Sequence, residues 1–194
     1  MKVLITFCAS AVLIIATGSA NADMAVIDFE SLDIGTVVDD QFSYLGADFN
    51  GDATVTGSLS SSFPLLPESS KVIFNYPSYD LTRVDAVGPE WMMAGGHVTG
   101  TYTVTLTAYD SSDTPLITDS TGGDNTFNKD KPNTTNMLLS VSAPNIAYVK
   151  FSIIESGTTF TIDDFKFNPV PVPAAVLLGM LGLGVAGMKL RKFV

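Results

Sequence analysis

Nine consecutive residues, Thr101-Tyr102-Thr103-Val104-Thr105-Leu106-Thr107-Ala108-Tyr109, place an apolar or aromatic side chain at every second position. A strand points successive side chains to opposite faces. This run can therefore bury Tyr102, Val104, Leu106 and Ala108 on a core face while its threonines meet water. Residues 149–153 repeat the alternation. Further strands are expected at 25–29, 53–56, 72–75, 82–87, 136–142 and 159–167, which are short, rich in β-branched and aromatic residues, and bounded by Gly, Pro, Asn, Asp and Ser. No twelve-residue window between residues 23 and 168 carries a 3.6-residue period. The expected fold is all-β, a single two-sheet β-sandwich of jelly-roll type, with an immunoglobulin-like sandwich as the alternative. Residues 57–67 and 110–133 read as long polar loops at its rims.

The two ends of the chain read differently. Met1-Lys2, an apolar run over residues 3–16 and Ala20-Asn21-Ala22 have the form of a secretory signal peptide, residues 1–22. An uncleaved N-terminal anchor is the alternative. The only cysteine, Cys8, lies inside that run, so cleavage leaves a domain without thiol chemistry or disulfides. At the other end, residues 169–194 combine the spacer Val170-Pro171-Val172-Pro173-Ala174, an apolar helix over 174–188 and the basic stop Lys189, Arg191 and Lys192. Fifteen helical residues rise roughly 22 Å, short of the ~30 Å hydrocarbon core, so this is a short transmembrane helix. The positive-inside rule places its basic end in the cytoplasm and the preceding domain outside.

All twenty acidic residues fall in the domain 23–168, against six basic ones, a formal charge of −14. Such a surface repels nucleic acid and suits cations or solvated extracellular life. Catalytic signals are thin. His97 is the only histidine and Gly95-Gly96-His97 reads as a turn, so a Ser-His-Asp triad would have to use it; no Gly-x-Ser-x-Gly elbow is present. No enzyme is expected. Trp91, the sole tryptophan, and Tyr76 and Tyr79 are candidate glycan-stacking aromatics, with core or rim packing as the other reading. Asp163 and Asp164 are adjacent in an otherwise apolar strand, so one should point toward the core or a covered rim. A buried carboxylate requires a cation or hydrogen-bond donors. The clusters at 48–52, 110–113 and 119–124 read as turns.

Val170-Pro171-Val172-Pro173-Ala174, the apolar span and the basic end together resemble the PEP-CTERM sorting signal, closest to its Val-Pro-Leu-Pro-Ala variant, with Val172 departing from it. The resemblance implies export, transient anchoring in the inner membrane, processing by an exosortase, and a final place at the cell surface or in extracellular exopolysaccharide or biofilm. The domain also resembles the jelly-roll, galactose-binding-like sandwiches that carry this tail. The resemblance rests on Ile27-Asp28-Phe29-Glu30, Leu106-Thr107-Ala108-Tyr109-Asp110 and Phe160-Thr161-Ile162-Asp163-Asp164-Phe165. It implies a structural calcium ion held by Glu30 with Asp163 or Asp164. Two function classes follow: a non-enzymatic surface or matrix protein, or a stand-alone carbohydrate-binding module with a structural calcium ion.

Overall fold

The computed structural model describes residues 24–57, 61–75, 81–127, 135–153 and 158–169. They belong to one compact unit, Ala22–Val170. The expected signal peptide and sorting tail lie outside the described residues. Among those residues no helix is long and apolar enough to cross a membrane.

The alternating segments pair into two antiparallel sheets. In chain order the strands are β1 (Ala25–Ile27), β2 (Val37–Val38), β3 (Ala47–Asp48), β4 (Ala53–Thr56), β5 (Val72–Phe74), β6 (Leu81–Ala86), β7 (Trp91–Gly100), β8 (Val104–Tyr109), β9 (Pro115–Ser120), β10 (Met137–Ile146), β11 (Tyr148–Ile153) and β12 (Phe160–Pro169). A 3-10 helix, Asp40–Leu45, joins β2 to β3. The seven-stranded sheet runs β10-β7-β12-β5-β4-β2, with β1 also paired to β12; the five-stranded sheet runs β3-β6-β11-β8-β9. The fold is an all-β two-sheet sandwich, as the alternation requires.

Apolar residues from both inner faces fill the space between the sheets. Val104, Leu106 and Ala108 of β8 and Val149, Phe151 and Ile153 of β11 face Ile162, Phe165 and Phe167 of β12 across one core. Aromatic rings meet edge-on at its centre: Phe29 and Phe49 at 5.6 Å, Phe49 and Phe165 at 5.5 Å. Edge-to-face contact matches the positive ring rim to the negative face and adds to the burial term. Tyr102 departs from expectation. It precedes β8 and is 41% exposed, because the strand begins only at Val104.

The largest correction concerns β7, the ten-residue strand that pairs with both β10 and β12. Gly95-Gly96-His97 lies inside it and is no turn. The glycines reflect close packing: a Cβ on Gly95 would sit 2.5 Å from the Leu139 carbonyl oxygen, and one on Gly96 3.1 Å from Ile162 Cγ2. Glycine inside a strand marks such approaches.

β12 contains the other irregularity. Asp163 pairs with His97 but Lys166 with Gly95, so two residues oppose one across the ladder. The extra residue, Asp164, takes φ +49°, which places it in the left-handed region. This bulge shifts the inward phase from Phe160 and Ile162 to Phe165 and Phe167. Asp163 and Asp164 thus both reach the outer face, contrary to the opposite-face expectation for an unbroken strand.

Candidate functional site

The two outer faces differ in cover. On the seven-stranded sheet, residues 61–70 lie across β12 and β7. The Asp163 carboxylate accepts the Ser69 hydroxyl at 3.0 Å and the Leu66 N–H at 3.4 Å. Asn136 Nδ2 donates to the Pro64 carbonyl at 3.0 Å and bonds Thr99. Thr99, Thr161 and Asp163 are buried beneath this cover although they point away from the core. Burial pushes the Asp163 carboxyl up to about 6, aided by the neighbouring Asp164 charge and opposed by the Ser69 and Leu66 donors. Opposite it, burial and the Lys166 cation hold His97 below its ordinary range, and its Nδ1 is buried with no partner.

Glu30 grips the end of the same covering segment. Its carboxylate accepts the Ser70 N–H at 2.6 Å, the Ser70 hydroxyl and the Lys71 N–H at 2.9 Å. Burial works to raise this carboxyl, but the Ser70 and Lys71 hydrogen bonds outweigh it and hold the group below its usual range. Lys71 Nζ donates to the main-chain carbonyls of Glu30 at 2.8 Å and Leu32 at 2.5 Å. A carboxylate and backbone carbonyls are the oxygens a hard divalent cation takes. Here an ammonium holds both carbonyls. Asp163 is engaged by Ser69 and Leu66, and Asp164 lies 3.7 Å from Lys166. Among the described residues no group of three or more His, Cys, Asp or Glu could hold a metal ion. In this arrangement protein donors occupy the carboxylate oxygens of Glu30 and Asp163 and the backbone carbonyls that the resemblance would have assigned to calcium.

For Trp91 the structure takes the packing reading. It is fully buried, 4.9 Å from the Phe167 ring and 5.8 Å from Phe165. A ring enclosed on these sides cannot stack on a surface sugar. Tyr76 and Tyr79 lie outside the described residues, as do Val170, Pro171, Val172, Pro173, Ala174, Lys189, Arg191 and Lys192.

Among the described residues the outer face of the five-stranded sheet is partly exposed. Because Val104, Leu106 and Ala108 point inward, Thr105, Thr107 and Tyr109 point outward, and the same parity turns Tyr148, Lys150 and Ser152 of β11 outward. Strand register lines them into rows. Tyr148 stands opposite Asp85 and Tyr109, Lys150 opposite Arg83 and Thr107, and Ser152 opposite Leu81 and Thr105. The Tyr109 and Tyr148 rings stack at 4.8 Å and 10°. The Arg83 guanidinium covers the other side of Tyr148 at 3.8 Å and bonds Asp85 through Nε and Nη2. Lys150 Nζ lies 5.1 Å from the Tyr109 centroid and 5.3 Å from that of Tyr148.

Tyr148 is buried by this enclosure; burial first, then its 2.9 Å hydrogen bond to Asp113, pushes its hydroxyl up to about 12. It supports the row but cannot itself present a ring. Tyr109 stays half-buried, with its register partner Pro115 exposed on β9. Around it Thr107 bonds Thr118 at 3.0 Å and Thr105 bonds Ser152 at 2.7 Å. A hydroxyl can both donate and accept, so this face offers one aromatic platform set among adaptable polar groups. Sequence reading missed these residues. Their signal was phase: Tyr109 closes the threonine side of its alternating run, and Tyr148, Lys150 and Ser152 share one side of theirs.

No protein-family model and no curated protein matches the chain. Among solved structures it is similar to a DUF4465 family protein from Bacteroides caccae, at 11% identity and TM-score 0.46, covering 76% of this chain and 99% of that one. The xylan-binding domain CBM22-1 from Paenibacillus barcinonensis Xyn10C gives 10% identity and TM-score 0.42 over 78% and 97% of the two chains. A glycoside hydrolase family 43 arabinoxylan arabinofuranohydrolase from Bacillus subtilis, solved with cellotetraose, gives 17% identity and TM-score 0.40. The match covers 63% of this chain and spans 26% of the hydrolase. These are loose likenesses of sandwich architecture and assign no ligand.

Proposed function

We propose that the chain is an exported, non-enzymatic protein that binds carbohydrate through the outer face of its five-stranded sheet. The observation that carries this reading is the partly exposed row in which Tyr109, propped by Tyr148, stands beside the hydroxyls of Thr105, Thr107, Thr118 and Ser152. A tyrosine supplies a flat apolar surface at low entropic loss, and short hydroxyl side chains adapt to the hydroxyls of a sugar. The carboxylates support the non-enzymatic part. Glu30 and Asp163 hold the covering segment, Asp85 holds Arg83, and Asp48, Asp110 and Asp124 each accept a main-chain N–H in their own turns. These carboxylates hold loops and side chains of the fold.

Affinity electrophoresis through polysaccharide gels tests the reading. Tyr109→Ala should weaken retardation by more than about fivefold, the scale of a buried aromatic contact above ~1 kcal/mol, at a temperature where the variant, which loses the Tyr148 stack, is still folded. Retardation that survives this substitution moves the site elsewhere.

The tail 169–194 is proposed to sort this sandwich to the cell surface or exopolysaccharide matrix through an exosortase. Replacing Pro171 and Pro173 together should block maturation in a host with a matching exosortase; unchanged processing, read as a mass shift, removes the proposal.

A further inference from the structure

We infer that the outer face of the five-stranded sheet selects acidic glycans, with the Lys150 ammonium as the receptor for a sugar carboxylate. This rests on the carbohydrate reading above and names the class of polymer.

The domain has twenty acidic residues against six basic ones, so carboxylate partners are plentiful. Three of the four described basic side chains have oxygen partners. Lys71 holds two backbone carbonyls, Arg83 is bonded to Asp85, and Lys166 faces Asp164. Lys150 differs. Among the described residues its ammonium meets no carboxylate and no carbonyl, only the rings of Tyr109 and Tyr148. An aromatic face attracts a cation without consuming its N–H donors. The ammonium is therefore positioned, with its N–H donors available.

Its place decides what it can receive. Lys150 occupies the row next to Tyr109, between Arg83 and Thr107. A pyranose lying on the half-exposed Tyr109 ring would carry its ring-edge substituents toward an ammonium 5.1 Å from that ring's centroid. A carboxylate substituent turns that approach into a charge-assisted hydrogen bond. The overall negative charge does not forbid this, since charges beyond about 8 Å are screened at physiological salt. Of the carboxylates around Arg83, Asp85 is bonded by Arg83 and Asn50, Asp113 accepts the Tyr148 hydroxyl, and Asp52 is held by Arg83.

The test uses the protein in native gels containing polygalacturonate, or the same backbone fully methyl-esterified, at low and physiological salt. Retardation is expected in the acid polymer and about tenfold weaker in the ester, the loss expected for a hydrogen bond to a charged group. Lys150→Gln should reduce the acid-gel effect similarly and Lys150→Arg should restore most of it. The ester comparison needs no variant, so a misfolded substitution cannot blur the result. Equal retardation in both gels overturns the acid preference and leaves the carbohydrate reading standing. No retardation in the acid gel also overturns it. If a panel of neutral polysaccharides then fails as well, the carbohydrate reading falls with it.

Discussion

Asp163 illustrates what a sheet does to a carboxylate it has covered. Its side chain points outward, yet residues 61–70 close over it and leave it 1% exposed. With the folded value raised to about 6, above the ordinary ~3.9, the protonated form is favoured by folding. The stability it contributes is full below pH ~3.9 and is lost as pH rises through about 6. Thermal midpoints should show this as a difference: wild type minus Asp163→Asn should fall between pH 4 and pH 7. A constant difference across that range contradicts the assignment. The adjacent Asp163-Asp164 pair was visible as an anomaly in the sequence. What the sequence could not disclose was the donor set, because Leu66 and Ser69 are nearly a hundred positions away.

At the scale of elements, the phase change in β12 was written into the chain. Phe160 and Ile162 occupy even positions, Phe165 and Phe167 odd ones, and one extra residue must intervene for all four to face the core. Asp164 is that residue. An L-residue in the left-handed region costs about 1–2 kcal/mol, which glycine avoids. Asp164→Gly should therefore leave stability unchanged or raised. Asp164→Val should lose about 1–2 kcal/mol or more by denaturant titration, since a β-branched side chain tolerates φ > 0 worst. Equal stability of the two variants would remove the bulge as the reason for this residue. β7 was illegible for the opposite reason. Its Met-Met-Ala-Gly-Gly-His run has neither β-branching nor alternation, and its identity as a strand comes from flanking by β10 and β12. Tertiary pairing overrode local propensity there.

For the whole molecule, the period-two pattern sufficed for class and architecture, whereas the site depended on which face remained partly exposed. That choice turns on residues 61–70, which cover the seven-stranded sheet around Asp163, while among the described residues Thr105, Thr107, Tyr109, Lys150 and Ser152 stay partly exposed on the other. No local pattern announces it, so the sequence left Trp91 open between stacking and packing, which its burial decides for packing, and passed over Tyr109. The same covering segment ends at Lys71, whose ammonium sits on two carbonyl oxygens beside Glu30. A metal ion in that position would have to be drawn from the surroundings, and its occupancy would follow mass action. A counter-ion carried on the chain has a local concentration set by the fold alone. This corner of the sandwich thus carries its own cation.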